Sequence, residues 1–451
     1  FPLLTENFYI IKNGTSGAFT VQLKAVSGSG ATVTFATDDK GYKLIYLDGV
    51  ATNTGVVDTG ITNSGLTFKE GGTNFTNSLL VGTDSTGTLS SADGNTGVGI
   101  GVFGALTTGD NNVAVGLNAL DLNTTGEESV AVGSLSLDAN TTGSYNNAVG
   151  HKALTTNTEG TKNQAFGHSA LELNTTGDQN VAVGHKALEA NTTADNNTAL
   201  GFESLKANTT GNENVSVGTN SLLTNTTGAS NTAVGKDSLC LNQTGGTNTA
   251  IGHSALKKNT ASNNTAVGYL SLVQNTSGTQ NSALGHETLA SNTEGNYNTA
   301  VGRLALYENT TGSNNVGVGL DALEKNTTGS CNVAVGTNAL DANTTGACNV
   351  AVGCGALGAN TTAGLNVAIG ALALANNQTN GSMVAIGFCA LSSSTGTGQS
   401  VAIGDRVLKT NTSGCLNTAI GHVAMCDNDS GECNTAYGAS ALLKNTTGDL
   451  N

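Results

Sequence analysis

Tryptophan is absent from this chain of 451 residues, and Pro2 is its only proline. One proline and no Gly-X-Y period exclude a collagen-type triple helix. Charged residues make up 11% and aromatics 4%, and so low a charge content is unlike that of most disordered chains. Basic residues are scarcer than acidic ones, 17 Lys and Arg against 32 Asp and Glu, for a net charge of −15 with no basic cluster. Phosphate contacts need Lys and Arg, so nucleic acid is not expected as a partner. No apolar run approaches the roughly 20 residues of a membrane span, so membrane insertion is not expected either. No signal-peptide pattern opens the chain. It starts at Phe1 and stops at Asp449-Leu450-Asn451, where a further repeat is due, as expected of a processed chain or a segment of a longer one.

Cysteine is missing before residue 240. The eight cysteines, Cys240, Cys331, Cys348, Cys354, Cys389, Cys415, Cys426 and Cys433, include no pair with zinc-finger spacing. Cys331 and Cys348 lie one repeat apart, which makes a disulfide sterically conceivable. The simpler expectation is free thiols filling small-residue columns.

What the chain has instead is a period. One copy reads Asn180-Val181-Ala182-Val183-Gly184-His185-Lys186-Ala187-Leu188-Glu189-Ala190-Asn191-Thr192-Thr193-Ala194-Asp195-Asn196. Its central glycine recurs twenty times from Gly116 to Gly438, always at 17 residues except Gly252 to Gly268, which is 16. A fixed short period is the signature of a solenoid. With that glycine as position zero, position +4 is Leu throughout (Leu120, Leu154, Leu188 among them), save Met425. Position −1 is always apolar, as at Val115 and Val183, and −3 is mostly Val or Thr. Position −2 is Ala in eighteen copies, including Ala182 and Ala250.

Side chains alternate along a strand, so −3 and −1 share one face and −2 takes the other. The expectation is that the Val-like face enters the coil's own core. The small Ala face would then let a partner chain come close, and a strand apolar on both faces is expected to be covered on both. That partner is expected to be a second copy of the chain. Position +7 is Asn in nineteen copies, usually opening Asn-Thr-Thr-Gly, and −4 is Asn in seventeen. Asn and Gly suit turns, and in-register Asn columns can form amide ladders. Each unit thus reads as one coil: a strand over −4 to 0, a second short strand or helical turn over +2 to +6, and two tight turns. At about 4.8 Å per rung the twenty copies span about 95 Å. The hexapeptide β-helix and the calcium-binding nonapeptide repeat both fit poorly, the latter for want of an Asp column.

Ahead of the array, residues 1–65 do not repeat. The period-two runs Phe8–Ile11, Ala18–Val26, Ala31–Phe35 and Tyr42–Leu47, parted by Gly, Asn, Asp and Ser clusters, predict a small antiparallel β module. Residues 66–111 carry degenerate copies of the repeat, such as Asn95-Thr96-Gly97-Val98-Gly99, and are expected to cap the entry to the array at 112–451. The fold class is therefore all-β: a parallel β-roll or β-solenoid of about twenty coils after a small antiparallel domain.

Two resemblances follow from these residues. The stretch Phe8–Val21 to Gly41–Gly49 resembles a small β module of phage tail-fibre and other virion structural proteins. The unit Asn-Val/Thr-Ala-Val-Gly-x-x-Ala-Leu-x-x-Asn-Thr-Thr-Gly resembles the head repeats of trimeric autotransporter adhesins of the YadA type, and more closely the longer repeats of tail-fibre-like proteins of phages and large viruses. It covers about three quarters of the chain. The resemblance implies a left-handed β-roll assembled as a homotrimer, a rigid rod and host-attachment adhesin. Its expected partners are its own copies, other virion or fibre proteins through the N-terminal module, and the host cell surface, glycans included. The expected location is the virion. The alternative is a microbial cell-surface adhesin or extracellular filament. The unit departs from the adhesin pattern in being longer, and neither a coiled-coil stalk nor a membrane anchor is expected within these 451 residues.

Three constellations bear on chemistry. All six histidines occupy position +1, and His151, His168 and His185 stand on successive rungs. A metal-binding ladder is one reading. A solvent-facing column is the other, favoured because Lys236, Arg303, Asp405, Phe388 and Thr337 share the position. Sixteen +7 asparagines complete an Asn-x-Ser/Thr sequon: Asn123, Asn140, Asn174, Asn191, Asn208, Asn225, Asn242, Asn275, Asn309, Asn326, Asn343, Asn360, Asn377, Asn411, Asn428 and Asn445. A glycan-coated rod is one reading; turn chemistry, which selects the same tetrapeptide, is the expected one. No nucleophile–base–acid set stands out, the Gly-rich turns lack a phosphate-loop Lys, and no cofactor or catalysis is expected.

Overall fold

The computed structural model describes strands within residues 6–72, then residues 74–451 apart from 83–85 and 396–397. The strand runs expected over Ala18–Val26 and Ala31–Phe35 lie outside the described residues except for 21–23 and 33–35, as do the separators 13–17, 27–30 and 38–41. No helix occurs among the described residues.

In the N-terminal part β1 (Glu6–Lys12) pairs antiparallel with β4 (Tyr42–Asp48), and β4 with β5 (Val56–Asp58). Strands β2 (Val21–Leu23) and β3 (Val33–Phe35) form a separate antiparallel pair. The array begins with β6 (Phe68–Gly72), which pairs antiparallel with β7 (Phe75–Val81). From β7 on every pairing is parallel. β7 pairs with β8 (Ala92–Asp93) and β9 (Thr96–Val98), and β9 with β10 (Val113–Val115). Three-residue strands then repeat to β29 (Thr435–Tyr437), each equivalent position on its counterpart: Ala114 on Ala131, Val115 on Val132. Among the described residues β29 pairs only with β28 (Thr418–Ile420), so the ladder is open at that end. The chain is thus a parallel β-solenoid of about 21 coils of about 17 residues.

Hydrogen bonds run along the axis outside the strands as well. Thr124 N donates to Thr141 O (2.9 Å), and Asn118 N to Ile100 O (2.8 Å). Stacking coils in this way satisfies main-chain groups that a loop would otherwise leave to solvent. The segment +2 to +6 is neither strand nor helix. Positions +2 and +4 are left-handed, as at Lys186 (φ 57°) and Leu188 (φ 52°). The alternating sign of φ turns successive amides up and down the axis. Lys186 N therefore bonds to His168 O in the coil below (2.9 Å), and Leu188 N to Ser204 O in the coil above (3.1 Å).

A left-handed leucine is unusual, and the backbone costs about 1–2 kcal/mol there. Full burial of the side chain, worth roughly 1.5–3 kcal/mol, offsets it. An alanine at +4 would not, which explains the Leu column.

The central glycine is required by contact as much as by φ. A Cβ on Gly336 (φ 133°) would lie 2.8 Å from the carbonyl carbon of Gly353 in the next coil. At Gly438, where the array ends, nothing lies within 4 Å.

The core is a column of Leu(+4) flanked by Ala(−2) and by +3, which is Ala or Ser except at Thr288 and Val407. Leu120, Leu154, Leu188, Ala182 and Ala250 are all 0% exposed. This inverts the expected use of the two strand faces. Ala(−2) packs inside its own coil, not between chains, while Val115 is 37% exposed and Val183 only half-buried. Leucine width is the physical reason. Even at Gly317, a −2 position, a Cβ would sit 3.3 Å from Ala322 O and 3.4 Å from Leu306 Cδ1, so the space opposite the leucine holds a methyl and little more.

Candidate functional surface

Three strips run the length of the solenoid, each built from equivalent positions stacked one rung apart. The first is the outer strand face, positions −3 and −1. None of the twenty copies places a charge at either position, and Ile251 and Leu284 are 40% and 50% exposed. The strip is about 95 Å long and about 10 Å wide, on the order of 900 Å², from a three-residue strand on every rung.

The second strip is the +1 column. His151, His168, His185 and Phe202 form one continuous ring stack, with centroids 5.1, 5.2 and 5.2 Å apart and planes within 25°. His253, Tyr269 and His286 form another at 5.5 and 5.1 Å. This corrects the metal-ladder reading of His151, His168 and His185. Imidazole lone pairs lie in the ring plane, so near-parallel stacked rings aim them side by side, whereas a metal needs them to converge. Among the described residues no three His, Cys, Asp or Glu are grouped as such a site requires. His422 stands apart, with Nε2 3.3 Å from Asp405 Oδ2.

The third strip is charged. Positions +2 and +5 carry ion pairs within and between coils: Lys186 with Glu189 (2.9 Å), Lys152 with Glu172 (3.2 Å) and Lys257 with Asp237 (3.6 Å). In the same strip burial raises the carboxyl of Asp138 above its ordinary range, and the neighbouring Asp121 carboxylate adds to the effect. Burial likewise raises Asp121.

The sequon asparagines are interior. Asn123, Asn140, Asn174, Asn191, Asn208, Asn225, Asn309, Asn326, Asn343 and Asn360 are all 0% exposed. Each Nδ2 donates to a carbonyl three residues on and, except at Asn123, which has Leu106 below it, to the Oδ1 of the asparagine one coil below. Asn140 bonds to Asn123 Oδ1 (2.9 Å) and Gly143 O (2.8 Å). A glycan on that nitrogen would replace a donated hydrogen and need the space of the neighbouring coil, so the glycan-coated reading is overturned at these positions. The −4 asparagines form a parallel ladder. Asn112 N donates to Asn95 Oδ1 (2.9 Å), and Asn112 Nδ2 to Gly126 O (2.9 Å).

Two features of the surface go beyond the expectations from sequence. One is the aromatic continuation of the His column at Phe202 and Tyr269, legible by reading +1 down the period. The other is the set of sequons that do face solvent, at Asn74, Asn196 and Asn263. The last two occupy −5, where the period again gives the signal. No protein-family model, no curated protein and no solved structure matches the chain.

Proposed function

We propose that the chain is the shaft of a self-associated structural fibre, of the tail-fibre type that a virion carries, acting as a rigid rod and host-attachment adhesin. The uncharged face formed by −3 and −1, apolar at every −1 and Val at ten of the twenty −3 positions, carries the reading. Copies with a net charge of −15 repel one another, and this is the strip on which they can meet without opposing charges. Its area is on the order of 900 Å², which three copies around one axis would each divide between two neighbours. The resemblance supplies the number, three copies around a common axis. The N-terminal β module joins the rod to other virion or fibre proteins. The solvent-facing columns meet the host surface, glycans being the ligand class. The protein acts by geometry and not by catalysis.

Light scattering on the full chain tests the assembly. The expected mass is three times 44.8 kDa. Val335→Asp, on the outer strand face, is expected to reduce the mass to that of one chain while the β circular dichroism is kept. A wild-type mass of one chain would defeat the reading. The location is tested by mass spectrometry of purified particles from the source culture; finding the chain only in cell envelopes refutes a virion fibre.

A further inference from the structure

Position −5 is an exposed, left-handed corner of the coil. Cys331 and Cys348 hold this corner in successive coils, 17 residues apart. Both are exposed and both have φ 60°. Each donates its N–H to the −6 residue of the coil below, Ser313 and Ser330, at 3.0 Å. Their backbones are therefore alike and stacked at the rung spacing of about 4.8 Å. That lies inside the 4.4–6.8 Å between Cα atoms that a disulfide spans, and with near-parallel Cα–Cβ bonds the Cβ atoms need to close by only a few tenths of an ångström to enter the ~3.5–4.5 Å range.

Other pairs in this column show how far its side chains reach. Ser230 Oγ donates to Glu213 Oε2 of the coil below (3.0 Å), and Thr247 Oγ1 to Asn263 Oδ1 of the coil above (2.6 Å). A cysteine Sγ stands where those γ-oxygens stand. These two thiols do not fill the core, which Leu and Ala occupy. No other column places cysteines on adjacent coils: Cys354 at +1, for instance, has Thr337 below and Ala371 above.

We propose that Cys331 and Cys348 form a reversible disulfide that staples two neighbouring coils. The oxidant is a small-molecule disulfide. One cysteine, as thiolate, attacks a sulfur of that molecule, forming a mixed disulfide and releasing the first small thiol. The second cysteine attacks the protein sulfur of the mixed disulfide, closing the inter-coil bond and releasing the second small thiol. Two protein thiols are oxidised, one small disulfide is reduced, and the two protons leave with the small thiols. Excess thiol reverses both steps. The closed loop ties one rung to the next, so that the two cannot separate unless the bond is cut.

The test uses the full reduced chain incubated with glutathione disulfide, then alkylated and cleaved before aspartate without reduction. Asp341 lies between the two cysteines, so a disulfide leaves its two peptides joined, lighter by two hydrogens than the reduced pair, and dithiothreitol separates them. Cys348→Ser is expected to abolish the link, and Cys354→Ser to leave it unchanged. Recovery of Cys331 and Cys348 each carrying glutathione or the alkyl group overturns the proposal, because it means that the sulfurs do not meet. Persistence of the link in Cys348→Ser overturns it too, by assigning the bond to another cysteine.

Discussion

A short period selects side chains for their fit to the copies above and below as well as to their own coil. Asp121 and Asp138 show the cost when this fails. They occupy +5 on successive coils, partly buried, and the carboxyl of Asp138 is raised by burial and then by Asp121. A carboxyl raised in the folded state makes that state bind protons more readily than the unfolded one. Below the ordinary carboxylate range both states are protonated and nothing is lost. As pH rises through the raised folded value, the fold is penalised, and the penalty persists at neutral pH. Asp138→Asn is therefore expected to raise the melting temperature at pH 7 and to leave it unchanged well below pH 4; equal gains at both would sink the electrostatic cause. The left-handed Leu(+4), by contrast, left no trace in the sequence reading, because an invariant leucine looks the same whatever its φ. Only the hydrogen bonds to the coils on both sides reveal why that backbone is used.

At the scale of the coil, the asparagine ladders are what keep neighbours in register. Asn157 donates to Asn140 Oδ1 (2.8 Å) and Gly160 O (3.0 Å) and accepts from Asn174 Nδ2 (2.7 Å). Asn157→Ala strands Asn140 Oδ1 in the interior and is expected to cost about 2–3 kcal/mol in denaturant melts. Among the described residues the +7 ladder has two natural breaks of this kind. Asn242 Oδ1 has no partner where the 16-residue coil draws Asn259 Nδ2 to Ala261 O (2.7 Å), and Asn377 Oδ1 has none below Ser394. Ser394→Asn is expected to gain about 1 kcal/mol by restoring the rung. The ladders, the coil length and the parallel stacking were legible in the sequence, because all three follow from the period. The orientation of the strand was not. Both faces are apolar, so the period-two pattern is silent, and choosing the bulkier face for the interior went wrong because Leu(+4) already fills it. Tolerance of size held the answer: −2 accepts only Ala, Ser216 and Gly317, as a crowded interior demands, while −1 accepts Phe166 and Tyr437, as an open surface allows.

Over the whole molecule stability is expected to be a sum of coils and of the contacts between neighbours, since each coil touches little else. Three deletions separate this from a globally cooperative core. Removing Val181–Asn197 takes out one full period and joins Asn180 to Thr198, so every column stays in register and β13 (Gln164–Phe166) meets β15 (Thr198–Leu200). Circular dichroism and the melting transition should be nearly unchanged. Removing Thr210 alone copies the natural 16-residue coil at a turn and should cost about as much as one ladder bond, roughly 1–3 kcal/mol. Removing Ala199 alone shifts a strand by one residue and turns its side chains to the opposite face. Thr198 or Leu200 would then meet the leucine column where only a methyl fits, and that rung should open. The expected order of damage is therefore one strand residue, then one turn residue, then seventeen residues in a block. If the full-period deletion proves as harmful as the loss of Ala199, the rod is not an additive stack. Its length would then be fixed by something other than the repeat.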